Sequence, residues 1–353
     1  MRDFVYDQIP YRIVFGAGAF DKLAVEVDRL GLSKLLVLST PGQVTLAEEA
    51  ARRLGSRAIG LYPHARMHVP IETADAARAE ARRLGADGTV AIGGGSTIGL
   101  SKAIALESGL PIIAIPTTYA GSEMTPIYGL TEGGAKKTGR DTKVLPRAVI
   151  YDPLLTLSLP AKISGPSGMN AIAHCVEALY AENANPVISL MAEEGIRALA
   201  RSLPRIAADP RDRDARSDAL YGAWLAGISL GAVGMALHHK LCHTLGGSFN
   251  LPHAETHTIM LPHVAAYNAG AAPEAMQRVA RALGAAEAAG GLYDLSATIG
   301  APLALKEIGF SEQDLDQATE IATRNPYYNP RPISRDGIRR LLENAFHGHS
   351  PAS

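Results

Sequence analysis

The sequence is poor in cysteine and in net charge and has no long uncharged apolar run, and each scarcity excludes a class of protein. Its two cysteines, Cys175 and Cys242, form no Cys-x-x-Cys pair, which disfavours a disulfide framework and predicts small buried thiols. No run of about eighteen apolar residues free of charge is present, which disfavours a membrane span. The net charge is −1 and the basic residues are spread along the chain, which disfavours a nucleic-acid partner.

What the sequence does contain is typical of a soluble enzyme of two domains. A chain of 353 residues with 47% hydrophobic content is longer than a single core usually organises. Charged residues follow Met1 at once, where a signal peptide would have an apolar core, so we expect a cytoplasmic protein. The most apolar stretch, LYGAWLAGISLGAVGMALHH, is rich in Gly and Ala and predicts a buried helix.

Apolar runs alternate with helical patterns in the first half of the chain. The predicted strands are LLVLS, RAIGLYP, TVAIGGG, PIIAIPTT and RAVIYDP, and the predicted helices are VTLAEEAARRLG, ETADAARAEARRLGA and STIGLSKAIALESG. This alternation predicts an α/β domain, a parallel sheet with helices on both faces. The Gly-rich segment MTPIYGLTEGGAKKTGR predicts a hairpin before the last strand.

The pattern changes to almost purely helical from about Leu154 onward. The change falls in PLLTLSLPAKISGPSG, which is rich in Pro and Gly and therefore a natural boundary. We predict an α/β dinucleotide-binding domain over residues 1–155 and an all-helical substrate domain over residues 156–353. The active site is expected in the cleft between them.

Two segments of the first domain are candidates for binding a dinucleotide. The run Gly93, Gly94, Gly95 and Ser96 ends a predicted strand and opens a helix, where backbone N–H groups can approach a pyrophosphate closely. Thr117 and Thr118 end the next strand and would add hydroxyl donors at the same edge. The alternative is that the glycines only form a tight turn, and they do not match the GxGxxG pattern of the standard dinucleotide fold.

The end of the first strand predicts which nicotinamide cofactor is accepted. An acidic residue at this place often binds the adenosine ribose, but the chain has Ser39 and Thr40. No carboxylate is present there to repel a 2′-phosphate, so NADPH is expected to serve as well as NADH.

Histidines in the second half are spaced like the ligands of a metal site. Asn170 and His174 lie four residues apart, His239 and His243 do the same, and His253 follows a Pro. Residues four apart share a helix face, and three imidazoles suit Zn or Fe. Asn170 offers a neutral amide, so the set lacks an anion and we expect weak metal affinity. The alternative is a group of ordinary core or surface histidines.

Eight motifs give the chain a family resemblance over nearly its whole length. They are YRIVFGAGAF, ARMHVP, GGGSTIGLSKAIAL, PTTYAGSEMTPIYGLTE, KVLPRAVIYDP, SGMNAIAHCVEALYA, HHKLCHTLGGSFNLPHAETH and NPYYNPRPI. As a set they resemble the iron-containing (group III) alcohol dehydrogenase superfamily, which has a dehydroquinate synthase-like architecture. Several of them favour the branch that reduces maleylacetate.

The chain departs from the metal-dependent members of that superfamily at three positions. Their ligands, an Asp and three His, map onto Asn170, His174, His239 and His253. They also carry acidic residues at the positions of Gly99 and Thr40. The departures resemble the maleylacetate-reducing branch, which implies use of NADH or NADPH, no required metal (a vestigial site only) and a homodimer.

The resemblance implies reduction of maleylacetate (4-oxohex-2-enedioate) to 3-oxoadipate in bacterial degradation of aromatic compounds. Addition to a C=C bond conjugated to a ketone gives an enolate, which hydrogen-bond donors can stabilise in place of a metal. We expect His243 to be the proton donor or enolate stabiliser, with His174, His239 and His253 shaping the pocket. The alternative for His243 is a helix residue with no direct part in the reaction.

Two substrate carboxylates require cationic or polar partners. The candidates are Arg324, Arg331, Lys136, Lys137 and Lys143, with Tyr327 and Tyr328 able to close over the pocket and Asn170 within it. Each is open to a second interpretation, a solvated surface cation or a packing aromatic. Of these we favour Asn170, Arg324 and Tyr327 as substrate-binding residues.

Three rival functions stay open at this point. The first is a metal-dependent (Fe or Zn) alcohol dehydrogenase of the same fold. The second is a polyol-phosphate dehydrogenase or a dehydroquinate synthase, which need the metal that Asn170 disfavours. The third is a binding protein without activity, which is disfavoured because the nucleotide motif and the histidines occur together.

Overall fold

A computed structural model describes residues 4–7, 9–10, 12–133, 135–325 and 327–351. The chain divides into two compact units. One is Ile9–Leu159, and the other is Pro160–Ser353 together with Met1–Gln8. The division therefore falls four residues after the boundary that the composition indicates (159 − 155).

The first unit is built on a six-stranded parallel sheet, as the alternating pattern predicts. Its strands are β1 (Ile13–Phe15), β2 (Leu35–Leu38), β3 (Ala58–Tyr62), β4 (Gly88–Gly93), β5 (Ile112–Pro116) and β8 (Ala148–Tyr151), in the order β1-β8-β5-β4-β2-β3. Its helices are α1 (Leu23–Arg29), α2 (Val44–Leu54), α3 (Ile71–Leu84) and α4 (Gly95–Ser108). The short strand β1 and helix α1 were not among the predicted elements.

The sheet is covered on both faces, which explains its continuous apolar strands. Leu35 and Val37 of β2 pack with residues of α1 and α2 in one buried cluster. Leu36 and Leu38 of the same strand pack with residues of α3 and α4 in another. Successive side chains of a strand point to opposite faces, so the two clusters mark the two faces. The predicted α/β fold is confirmed.

The Gly-rich insertion forms the predicted hairpin and is held by a buried lysine. Strands β6 (Ile127–Glu132) and β7 (Ala135–Arg140) pair antiparallel. Lys102 of α4 is fully buried, and its Nζ lies 2.6 to 2.9 Å from the carbonyl oxygens of Ser122, Thr125 and Ile127 and the Thr125 hydroxyl. Burial lowers the pKa of Lys102 to about 7. These oxygens compensate the buried amine, which ties the start of the hairpin to α4.

The described part of the second unit is helical, as predicted. Its helices are α5 (Ala161–Leu179), α6 (Pro186–Ala208), α7 (Arg213–Ala232), α8 (Leu237–Phe249), α9 (His253–Asn268), α10 (Pro273–Leu283), α11 (Ala288–Thr298), α12 (Leu315–Thr323) and α13 (Arg335–His347). Among the described residues no single helix is long and apolar enough to cross a membrane. The pair α7 and α8 meets that test only when taken together, with a bend of 96° between them.

Candidate active site

Three helices of the second unit bring the predicted histidines together. Asn170 and His174 lie on α5, His239 and His243 on α8, and His253 begins α9. The rings of His174 and His239 stack with centroids 5.1 Å apart, and the ring of His243 lies 6.0 Å from that of His239. The two i,i+4 pairs predicted from spacing therefore meet at one place.

A buried carboxylate, Glu177, organises this cluster. It lies on α5 one turn after His174, and its side chain has no exposed surface. Its oxygens accept hydrogen bonds from the backbone N–H groups of Ala236 (3.0 Å) and His238 (2.7 Å) at the start of α8. One oxygen also lies 2.6 Å from Nδ1 of His239. Glu177 thus satisfies N–H groups that a helix start leaves unpaired and fixes the ring of His239.

The bond to Glu177 decides which nitrogen of His239 faces the cluster. A carboxylate accepts, so Nδ1 of His239 carries the proton and Nε2 is left for another partner. Nε2 of His239 is buried and has no hydrogen-bond partner among the described residues. The arrangement resembles the carboxylate–histidine pairs that orient metal-binding or catalytic imidazoles.

A second group, His238, Cys242 and His257, lies behind the first. Nε2 of His238 is 2.9 Å from Nδ1 of His257 and 3.6 Å from the Cys242 sulfur. All three side chains are buried, and one possible ligand atom of each lies within 4.8 Å of the other two. Burial raises the pKa of the Cys242 thiol, which favours a neutral hydrogen-bonding thiol. The predicted buried thiols, Cys175 and Cys242, are both free in the structure.

Burial favours the neutral form of three imidazoles in these groups. Burial lowers the pKa of His174, His238 and His257, and neighbouring imidazoles lower each further. His253 is half-buried and its ring contacts that of His257, with centroids 4.4 Å apart, whereas His243 is exposed. His243 is therefore the member of the cluster that solvent or a substrate can reach most readily.

The residue types fit a divalent metal except for the missing anion. Asn170 Oδ1, His174 Nδ1 and His239 Nε2 are buried and have no hydrogen-bond partner within the described ranges. Neutral imidazole nitrogens are ordinary ligands of Zn and Fe. The amide of Asn170 adds no charge to them, so the set is a weaker version of a metal site.

The two arginines proposed to hold the substrate carboxylates already have partners within the protein. Arg324 is exposed and pairs with Glu320 at 2.7 Å on α12. Arg331 lies over the Tyr267 ring and donates to the Tyr267 carbonyl oxygen. Both arginines are thus engaged within the protein.

The remaining candidates for substrate binding are two tyrosines and the lysines in or near the hairpin. Tyr327 is half-buried against the C-terminal core, and the hydroxyl of Tyr328 donates to the Tyr180 carbonyl oxygen at 3.0 Å. Lys137 pairs with Glu132 and Lys143 is exposed, while the Lys136 side chain lies outside the described residues. Substrate binding by Arg324 and Tyr327 stays a prediction.

The structure brings the two predicted nucleotide segments together in the first unit. A Cβ on Gly94 would lie 3.0 Å from the Thr118 hydroxyl. The Thr117 N–H donates to the Gly93 carbonyl oxygen at 3.0 Å. Gly93 has φ 153°, which favours glycine, and Gly95 and Ser96 open α4. The geometry gives the glycines a packing role beside the proposed nucleotide-binding role.

Gln43 links the end of β2 to the threonine at the end of β5. The Thr40 hydroxyl lies 3.3 Å from Gln43 Oε1, and Gln43 Nε2 donates to the Thr117 hydroxyl at 2.8 Å. Ser39 is fully buried, and its hydroxyl has no partner among the described residues. At Gly99 a Cβ would lie 2.8 Å from a Val69 methyl group, so a larger side chain at this position would require Val69 to move.

Comparison with known proteins identifies the class of protein. The iron-containing alcohol dehydrogenase model matches residues 10–153, and the C-terminal model of the Fe-containing alcohol dehydrogenase family matches residues 165–346. The chain belongs to the iron-containing alcohol dehydrogenase family and is an oxidoreductase. The family resemblance drawn from the motifs is confirmed.

Full-length relatives specify the branch. The chain is 60% identical over 352 residues to maleylacetate reductase of Burkholderia cepacia, with 100% of each chain covered. It is 59% identical over 348 residues to maleylacetate reductase of Sphingobium indicum, with 99% of each covered. The crystal structure of maleylacetate reductase from Agrobacterium tumefaciens superposes with a TM-score of 0.97 at 54% identity, covering 99% of this chain and 100% of that one. These relatives favour the reductase function over the alcohol dehydrogenase alternative.

Proposed function

We propose that the protein reduces the C=C bond of maleylacetate with NADH or NADPH to give 3-oxoadipate. The observation that carries this proposal is the neutral amide of Asn170, which is buried with the oriented imidazoles of His174 and His239. A ketone reduction that depends on a Lewis acid is poorly served by such a set. In a conjugate reduction the developing negative charge is delocalised into an enolate. Hydrogen-bond donors in a pocket that fits the substrate can stabilise that charge instead of a metal.

The proposed reaction has two steps whose atoms and electrons balance. The nicotinamide transfers a hydride to C2, the alkene carbon β to the ketone. The π electrons move to form the C3=C4 enolate. A proton then adds to C3, and the ketone is regenerated. One NAD(P)H and one proton are consumed for each 3-oxoadipate formed.

We assign the role of each residue in this reaction from its exposure and its hydrogen bonds. Exposed His243 supplies the proton or stabilises the enolate oxygen. His174, His239 and His253 form the wall of the pocket, and Glu177 holds the ring of His239 through the 2.6 Å contact. Ser39, Thr40, Thr117, Thr118 and the Gly93–Gly95 turn with Ser96 bind the cofactor in this proposal.

The proposed function and its main alternative differ in whether activity requires a divalent metal. Asn170, His174, His239 and His253 would hold a divalent metal where one binds, and that metal would supply Lewis-acid polarisation of a carbonyl oxygen. The Glu177–His239 pair is the feature that favours the alternative, a metal-dependent alcohol dehydrogenase, because such pairs commonly support metal ligands.

We expect NADH oxidation with maleylacetate to survive exhaustive chelation, because Asn170 leaves the ligand set without an anion. The measurement compares maleylacetate with simple ketones and aldehydes, before and after EDTA, with metal content determined in each sample. An apoprotein that is inactive and recovers with Zn or Fe would contradict the metal-independent proposal. Activity on simple ketones or aldehydes but not on maleylacetate would favour the alternative.

We expect Thr40→Asp to weaken the use of NADPH while sparing NADH. A carboxylate at the end of β2 would repel the 2′-phosphate, and this repulsion should lower kcat/KM for NADPH by at least about tenfold. Ser56→Asp adds the same charge at an exposed position of the first unit and is the control. A wild type that rejects NADPH would show that Thr40 has no such role.

The proposal also includes a cytoplasmic homodimer with a small dicarboxylate as its substrate. The family resemblance supports the homodimer and the substrate. Sedimentation of the purified protein tests the oligomeric state.

A further inference from the structure

Lys240 is a cation on the helix of His239 and His243 that the proposed function has not used. It lies on α8 between His239 and His243, and its side chain is half-buried. Its Nζ lies 5.7 Å from the centroid of the Tyr327 ring, within the range of a cation–π contact. Lys240 and His243 are three residues apart, so they share a helix face.

Unlike Arg324 and Lys137, which pair with Glu320 and Glu132, Lys240 has no anionic partner among the described residues. Within the described part of the chain it forms no ion pair with an Asp or Glu, and the Tyr327 ring is the contact that the structure records for its ammonium. By contrast, Arg324 pairs with Glu320, and Arg331 is bound at Tyr267. A half-buried ammonium that lacks a carboxylate has lost part of its hydration, and the aromatic ring compensates that loss less fully than an anion would.

The aromatic partner of Lys240 has an unsatisfied polar group of its own. The hydroxyl of Tyr327 is buried and has no hydrogen-bond partner among the described residues. Burial raises the pKa of Tyr327, and the negative charge of Glu177 raises it further, so the hydroxyl stays protonated and can donate. A buried donor without an acceptor costs free energy, and a bound anion would supply the acceptor.

From these contacts we propose that Lys240 and Tyr327 form the receptor for one terminal carboxylate of the dicarboxylate substrate. The Lys240 ammonium and the Tyr327 hydroxyl each donate to a carboxylate oxygen, as charge-assisted hydrogen bonds. Because His243 lies on the same helix face, an anchored carboxylate would place the rest of the substrate along that face toward His243. This inference rests on the proposed function and adds a residue that determines substrate specificity.

The test is the kinetics of Lys240→Met with maleylacetate. Loss of a hydrogen bond to a charged group should raise KM by about 10- to 100-fold, with a much smaller change in kcat. Lys240→Arg should restore part of the affinity because it keeps the charge. Lys306→Met removes a cation of the same type at an exposed position of the second unit and should leave KM unchanged. NADH binding, followed by fluorescence, should be the same in all four proteins.

Monoanionic analogues make the test specific. Two analogues of maleylacetate, each with one carboxylate converted to its methyl ester, are compared in the wild type and in Lys240→Met. The penalty of the substitution should vanish for the analogue that lacks the carboxylate bound by Lys240. An equal penalty with both esters and with maleylacetate would overturn the inference.

The inference and the proposed function fail in distinguishable ways. A wild type inactive on maleylacetate would refute the proposed function whatever Lys240 does. An active wild type with an unchanged KM in Lys240→Met would refute only the receptor. If Lys240→Met does not bind NADH or loses its circular dichroism spectrum, Lys240→Gln, which has a shorter, uncharged polar side chain, is used in its place. The same two outcomes are expected from it.

Discussion

Replacing His243 with Ala should lower kcat for maleylacetate by about 10²-fold, the scale expected for losing one general acid or donor. His243 is exposed at the edge of the cluster, and its ring lies 6.0 Å from that of His239. Its interaction with the reacting atoms forms mainly in the transition state, so KM should change far less than kcat. Steady-state kinetics at saturating NADH measures both parameters.

The matched control for His243 is His349→Ala. His349 is also exposed, and its ring stacks on that of His347 at 5.3 Å; it is not among the residues proposed to act in the reaction, so its loss should leave kcat unchanged. His243→Gln offers a neutral donor and should retain more activity than His243→Ala if His243 stabilises the enolate. If both variants at His243 keep the wild-type kcat, the assignment of the donor is wrong.

Much of the fold could be predicted because its signals are local. The apolar runs of β2, β4 and β5 are buried on both faces of the sheet, and such strands read as continuous apolar segments. By contrast, β1 spans only three residues and is defined by its pairing with β8. Three residues are too few to show a hydrophobic pattern. The strand is recognisable only from its pairing with a segment more than 130 residues away.

The part of the candidate site that could be predicted is the part that follows from the spacing of residues along a helix. Asn170 with His174, and His239 with His243, are i,i+4 pairs, and the structure brings both to one place. Glu177 was missed, although it lies on the helix face of His174 and is a rare charge in an apolar segment. Its role depends on the start of α8, about sixty residues later, and no local pattern shows that contact.

The same limit applies to His238, His257 and Lys240. His238 and His257 are hydrogen-bonded partners on different helices, and the sequence gives only their presence beside the predicted residues. Lys240 becomes informative only when its neighbours are known, because its lack of a carboxylate partner among the described residues is a property of the folded chain. Arg324, the cation favoured from sequence, is by contrast engaged with Glu320.

Glu177→Gln should lower kcat by about 10- to 100-fold, the range found for residues that orient a functional imidazole. The carboxylate accepts two backbone N–H groups and holds Nδ1 of His239. Gln has one acceptor oxygen and one NH₂ group, and where the NH₂ group faces His239 it donates to Nδ1 and favours the opposite tautomer. Nε2 would then carry the proton, and the face of His239 within the cluster would change from acceptor to donor.

A purely structural role of Glu177 predicts a different set of results. The substitution should reduce the free energy of unfolding by about 1–3 kcal/mol, because a buried backbone N–H loses its acceptor, and urea titration measures this loss. ¹⁵N NMR of the histidine rings reports the tautomer of His239 directly. Glu182→Gln, at an exposed position just after α5, is the control for both measurements. A less stable variant with an unchanged tautomer and an unchanged kcat would reduce Glu177 to a helix-capping residue, whereas a changed tautomer with a lowered kcat establishes it as the positioning residue of His239.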